Sequence, residues 1–195
     1  MPVIQIVGAG PGAEDLITVR GMRALERADF VLYAGSLVNP EILSYCRKDC
    51  IIKDSSSMNL EEQVEIMCAY AKQGKNVVRL HTGDPSLFGA INEQIRLLKQ
   101  YGIAIKIIPG VSSVFAAAAE LGIELTAPQI SQSVVLTRTA GRTPMPEKEK
   151  ASDFAKTGAT LVFFLSTGNI AELMQDLHVN GGLPLDTPAA VVYRA

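Results

Sequence analysis

Short β-branched apolar runs alternate along this chain with stretches in which apolar positions recur every three or four residues. Residues 3–7, 30–33, 51–53, 77–80 and 105–108 are runs of the first kind and read as strands. Between them the spacing predicts helices over 40–47, 60–73 and 86–101, and a first helix with Leu16, Val19, Met22 and Leu25 on one face. Repeated β-α alternation implies a parallel sheet with helices on both faces. Pro109-Gly110 punctuates the pattern, and the small-residue run 111–121 reads as a helix with Ser112 or Ser113 near its start and Gly122 just past its end. From Thr126 the texture changes to strands at 133–137, 159–165 and 189–193, with helices near 147–156 and 169–178. The expectation is an α/β protein of two domains, 1–112 and 113–195, the second truncated at its C-terminal end because the chain stops directly after an apolar strand.

The segment Leu80-His81-Thr82-Gly83-Asp84-Pro85-Ser86-Leu87 follows one of these strands and precedes a helical pattern. Gly83 and Asp84 are therefore expected at the carboxyl end of a parallel strand, where open α/β sheets bind ligands. Glycine lets a ligand approach the backbone, the aspartate offers two acceptors, and Pro85 ends the strand.

Composition narrows the function classes. With 195 residues, 48% of them apolar and 19% charged, the chain can bury a sizeable core. A net charge of −2 and a pI near 5.7 supply no general attraction to nucleic acid or an anionic membrane. The N-terminus carries no signal-peptide pattern, so a cytoplasmic location is expected. Cys46, Cys50 and Cys68 lack the partners of a zinc shell and read as core or free thiols; no metal site is expected. Thr139 to Lys150, with Gly141, Arg142 and two prolines, reads as a surface loop.

Candidate chemistry is sparse. Gly8-x-Gly10-x-x-Ala13 after a strand formally fits a dinucleotide fingerprint, but the second strand ends in Leu32-Tyr33-Ala34-Gly35 without the acid that holds a ribose, and Pro11 removes an amide donor. The two histidines, His81 and His178, assemble no nucleophilic triad. A nicotinamide-dependent oxidoreductase and a non-catalytic tetrapyrrole or nucleoside binding module are the readings from other classes.

Three ordered motifs point elsewhere. Val7-Gly8-Ala9-Gly10-Pro11-Gly12 with Asp15-Leu16-Ile17-Thr18, then Thr82-Gly83-Asp84-Pro85, then Ile108-Pro109-Gly110-Val111-Ser112-Ser113 resemble the successive signatures of the tetrapyrrole methylases, which use S-adenosylmethionine. Tyr33-Ala34-Gly35-Ser36-Leu37, Glu124-Leu125-Thr126-Ala127-Pro128 and the run from Ser133 to Pro146 resemble the branch of that family that methylates C11 of precorrin-4 or cobalt-precorrin-4 in cobalamin biosynthesis. A neighbouring methylase of the same pathway, acting at another ring carbon, is the alternative within the family.

The resemblance implies two α/β domains with an N-terminal parallel sheet and a C-terminal mixed sheet, the cofactor in the cleft between them, and a homodimer. Carried across by motif, its cofactor contacts are Pro11, Thr82, Gly83, Asp84, Leu87, Ser112, Ser113, Leu165, Ala189, Ala190 and Ala195. The tetrapyrrole substrate carries many carboxylates, for which arginines are the natural anchors. Arg79, Arg138 and Arg142 are the candidates, with Tyr33, Ser36 and His81 as further substrate contacts. No general base is named, because methyl transfer from a sulfonium rests on positioning.

Overall fold

The computed structural model describes residues 1–35, 37–141 and 143–193, so Ser36, Arg142 and Ala195 of the sequence reading lie outside the described residues. Its contacts divide the chain into two compact units, Met1–Ala116 and a second that runs from Ala117 to Tyr193.

The first unit is built on five parallel strands in the order β3-β2-β4-β1-β5: β1 Val3–Gly8, β2 Phe30–Tyr33, β3 Ile51–Asp54, β4 Val77–His81 and β5 Ala104–Ile108. The central strands are mostly apolar because both faces are covered, the usual condition of a parallel sheet, although β4 also carries Arg79 and His81. Alternation then sends successive residues of one strand to opposite layers. Ile4, Phe30, Leu32 and Val77 pack with Val64, Met67 and Cys68 of α2 Leu60–Lys72 and Leu98 of α3 Ile91–Gln100. Val7, Val31, Val78, Leu80 and Ile108 face Ala24 and Leu25 of α1 Val19–Glu26, together with Val38 and Ile42.

Helix starts follow local chemistry. Asn59 and Glu62 form a reciprocal capping box at the head of α2. Thr18 caps α1, so the helix begins at Val19 and its buried face is Gly21, Ala24 and Leu25; Leu16 and Val19, expected on that face, are exposed. The stretch 40–47, expected as a helix, is a 3-10 turn over Pro40–Tyr45. The helix expected from residue 86 starts at Ile91, because Phe88 and Ala90 take left-handed backbone angles (φ 53° and 50°) that an α-helix does not accommodate.

The second unit pairs β6 Val134–Arg138 with β7 Thr160–Phe164 in parallel. The helices α5 Ala151–Ala155 and α6 Ile170–Val179 pack through Ala155, Leu173 and Leu177 onto Leu161 and Phe163. The point of division falls within α4 Ser113–Leu121. The helix expected over 147–156 is shortened to α5 because residues 146–149 close a turn, Glu149 N donating to Pro146 O. The strand expected at 189–193 does not form: among the described residues it has no ladder partner, so the two strands described are both parallel and the antiparallel member of a mixed sheet is not among them.

Phe30 is fully buried and stacks on Tyr70 of α2, ring centroids 4.2 Å apart. Phe30→Ala is expected to lower unfolding free energy by about 3–5 kcal/mol in urea titrations, and a loss under 1 kcal/mol would show that this layer is not the core.

Candidate functional site

Three loops leave the carboxyl ends of adjacent strands β4, β1 and β5, and their backbones touch. A Cβ on Gly8 would lie 2.6 Å from both Gly110 Cα and Gly83 O, and one on Gly110 would lie 2.1 Å from Gly83 O. No side chain fits at either position. Gly83 and Gly10 exchange backbone hydrogen bonds, Gly83 N donating to Gly10 O at 2.7 Å and Gly10 N to Gly83 O at 3.3 Å, while Ala9 N donates to His81 O at 2.7 Å. Thr18 adds a tie: its hydroxyl accepts from Gly21 N and donates to Pro109 O at 3.3 Å.

Asp84 is the polar fastener of this junction. One carboxylate oxygen accepts from Gly110 N at 2.9 Å, the other from Ser86 N at 2.8 Å and from the Ser86 hydroxyl. Burial alone would raise this carboxyl, but the Ser86 hydroxyl and the amides of Ser86 and Gly110 outweigh it and hold it below the usual carboxylate range. Asp84 thus joins two loops before it meets any ligand, a role beyond the open acceptor pair that the sequence suggested.

The junction leaves one face bare. Gly83 sits at φ 58°, and nothing lies within 4 Å of where its Cβ would stand. Around it, Pro11, Thr82, Asp84 and Leu87 are half-buried. Ser112 is buried and Ser113 opens α4 directly after Gly110. Six residues from three distant motifs, with Ser113, are thereby brought to one end of one sheet. A hollow of about 500 Å³ lined by Thr18, Val19, Arg20, Arg23 and Pro109 adjoins the Thr18–Pro109 tie. Arg20 and Arg23 carried no signal in the sequence, and Thr18 stood there only as the last residue of the first signature, although its capping position before a helix also marked it.

The expected substrate contacts divide. Tyr33 ends β2, and its carbonyl accepts from Ser55 N and the Ser55 hydroxyl. Arg79 is only 5% exposed and donates to Leu32 O at 3.2 Å and Ser55 Oγ at 2.9 Å, so it braces the sheet from within rather than offering an exposed anchor. Burial brings its guanidinium down to about 10, against the pull of Asp54. His81, also buried, is pushed down to about 4 by burial and the Arg79 charge, with Gln94 opposing, and is neutral at pH 7.

In the second unit, Arg138 spends its donors on its own loop, Nη1 on Thr139 O and Thr143 O and Nη2 on Pro144 O. That geometry makes it a brace for residues 139–144 instead of a free carboxylate anchor. Leu165 directly follows β7 at φ 54° and is 74% exposed, a strained and uncovered placement of the kind that accompanies functional contacts. Next to it Ser166 pins the strand ends, accepting from Thr139 N at 2.8 Å and donating to Phe164 O at 2.7 Å. Ala189 and Ala190 lie in exposed irregular chain. Cys46, Cys50 and Cys68 are free thiols, and no cluster of metal-ligating side chains occurs among the described residues. No helix among them is long and apolar enough to cross a membrane.

The chain matches the profile of the family described as Tetrapyrrole (Corrin/Porphyrin) Methylases over residues 3–195. It is 55% identical over 190 residues to a cobalt-precorrin-4 C(11)-methyltransferase of Methanocaldococcus jannaschii, covering 97% of this chain and 73% of that protein. An X-ray structure of a cobalamin biosynthetic enzyme, cobalt precorrin-4 methyltransferase, superposes with a TM-score of 0.89 at 48% identity, covering 92% of this chain and 75% of the other. A uroporphyrin-III C-methyl transferase of Thermus thermophilus, complexed with S-adenyl homocysteine, superposes with a TM-score of 0.73 at 25% identity, covering 91% of this chain and 72% of the other.

Gly110→Ala is expected to cost about 2 kcal/mol or more, because a Cβ has no room against the Gly83 carbonyl; unchanged denaturant midpoints would refute the interlock. Since Asp84 titrates lower folded than unfolded, its contribution is present above the unfolded value near 3.8 and is lost as pH falls through the folded one. Asp84→Asn should therefore flatten the acid limb of a stability–pH profile below pH 4, and an unaltered limb would place the carboxylate outside the junction.

Proposed function

The chain belongs to the tetrapyrrole methylases, and from that premise we propose that it transfers a methyl group from S-adenosylmethionine to C11 of precorrin-4 or its cobalt form in cobalamin biosynthesis. The observation that carries this reading is the bare backbone at Gly83, at the meeting point of the three signature loops. It is a surface that a flexible polar ligand can approach closely, at the end of the sheet where α/β folds bind ligands. The name of the relative at 55% identity supports C11 as the position.

The residues present fit the cofactor. Gly83 leaves open space where any other residue would place a Cβ, Thr82 and Asp84 flank it, and Leu87 offers apolar surface beside them. Pro11, Ser112 and Ser113 complete the set on the first and third loops. Leu165, Ala189 and Ala190 of the second unit, and Ala195, remain part of the proposed cofactor set. S-adenosylmethionine supplies a methyl group on a sulfonium, whose departure leaves a neutral thioether.

Such a transfer asks little acid–base work of the protein. The chain has to hold its ligands in line and keep them there, which is catalysis by positioning, and a junction of three loops locked backbone to backbone is suited to that. Asp84 fixes the second loop against the third. Among the substrate contacts we retain Tyr33, His81, Ser36 and Arg142, while Arg79 and Arg138 serve their own surroundings. We further propose a homodimer working in the cytoplasm, binding neither nucleic acid nor membrane. A nicotinamide oxidoreductase is disfavoured because Pro11 has no amide to give a pyrophosphate.

Calorimetric titration with S-adenosylhomocysteine, NAD and NADP tests the cofactor. Binding of the first alone is expected, and NAD binding with no response to S-adenosylhomocysteine would overturn the reading. Incubation with S-adenosylmethionine and the C11-unmethylated tetrapyrrole should add one methyl mass to the substrate; its absence under cofactor binding would move the reaction to another acceptor.

A further inference from the structure

Behind the Thr82–Asp84 loop, under the face of the sheet covered by α2 and α3, three buried polar atoms have no hydrogen-bond partner: Arg79 Nε, His81 Nε2 and Gln94 Oε1. Their residues are 5%, 9% and 3% exposed. Buried groups of this kind rarely stay unsatisfied, since each costs roughly 1–3 kcal/mol.

The orientation of the amides can be worked out from one end. Met58 O is an acceptor only, so the group of Gln63 that meets it at 3.0 Å is the amino group. Gln63 then turns its carbonyl oxygen toward Gln94, whose amino group donates to it at 3.2 Å. That leaves Gln94 with its carbonyl oxygen on the far side, where it needs a donor. His81 Nε2 lies buried without a partner as well, and Gln94 is the side chain that favours the protonated imidazole. The two orphans complement each other when the imidazole proton sits on Nε2.

We propose that Gln63 and Gln94 are positioning residues that lock His81 in the Nε2–H tautomer, leaving Nδ1 a bare acceptor at the carboxyl end of β4. Two charged groups face the cluster. Arg79 on β4 opposes a second proton on the ring, and Asp54 at the end of β3 lies beyond Arg79, while α2 and α3 contribute the neutral amides. His81 is thereby an acceptor suited to a ring N–H of a tetrapyrrole and unsuited to its carboxylates. That last step rests on the methyl-transfer reading, whereas the tautomer does not.

Long-range proton–nitrogen correlation spectra of the labelled protein decide the tautomer without cofactor or substrate. The chain has two histidines, and His178→Gln leaves the signals of His81 alone. A protonated Nε2 and an unprotonated Nδ1 are expected at pH 6 to 8. Gln94→Met should mix the tautomers and lower the protonation midpoint from about 4, Gln63→Met should mix them by freeing the Gln94 amide to turn, and Gln94→Glu should restore the Nε2–H form and raise the midpoint. A wild-type His81 protonated on Nδ1 overturns the proposal whatever the variants do, and so does a Gln94→Met protein that keeps both tautomer and midpoint. Failure of the methyl-transfer reading would show instead in the calorimetry, with these spectra unchanged.

Discussion

Everything at the ligand end of this molecule depends on the closeness with which three glycines pass one another. Gly8 ends β1, Gly83 and Gly110 lie two residues past the ends of β4 and β5, and their backbones approach so closely that neither Gly8 nor Gly110 admits a Cβ. Strand order makes the meeting possible, since β1 lies between β4 and β5 although those strands are far apart in sequence. Once the loops are in contact, the Gly10–Gly83 bridge and the Asp84 bond to Gly110 N add direction to what sterics permit. The consequence is a rigid junction whose outer surface is backbone.

A rigid backbone surface is well matched to methyl transfer. The barrier is lowered by alignment, so the protein gains most from parts that do not move. A carboxylate already engaged by two loops is a better fixed point than a free one, because its geometry is set before a ligand arrives. Arg79 and Arg138 likewise serve their own surroundings, Arg79 Nη1 donating to Leu32 O and the Ser55 hydroxyl and Arg138 to carbonyls of its own loop.

Polar groups inside the sheet tell a related story. β4 is buried along its length, yet carries Arg79 and His81 among its apolar residues. Burying them disfavours their charged forms; Arg79 is answered by hydrogen bonds to Leu32 O and Ser55, and His81 lies beside Gln94 at the end of the Gln63–Gln94 amide chain. A neutral histidine held at a strand end is chemically different from the cation that its neighbour would suggest.

The central strands of the first unit were legible in the chain because buried parallel strands are largely apolar runs, and β2 falls on the predicted residues 30–33. The three signature motifs were legible as well, since glycine, proline and aspartate at a strand end carry local conformational meaning. Local pattern misplaced the start of α3, where Phe88 and Ala90 turn left-handed, and promised a strand at 189–193 that has no partner among the described residues. Sequence by itself determined the periodicity, the caps and the family, because those depend on residues near one another in the chain. Tertiary structure alone decided that Gly8, Gly83 and Gly110 interlock, that Asp84 fastens them, and that Arg79 turns inward, because each depends on atoms delivered by strands that are distant in sequence and adjacent only in the folded sheet.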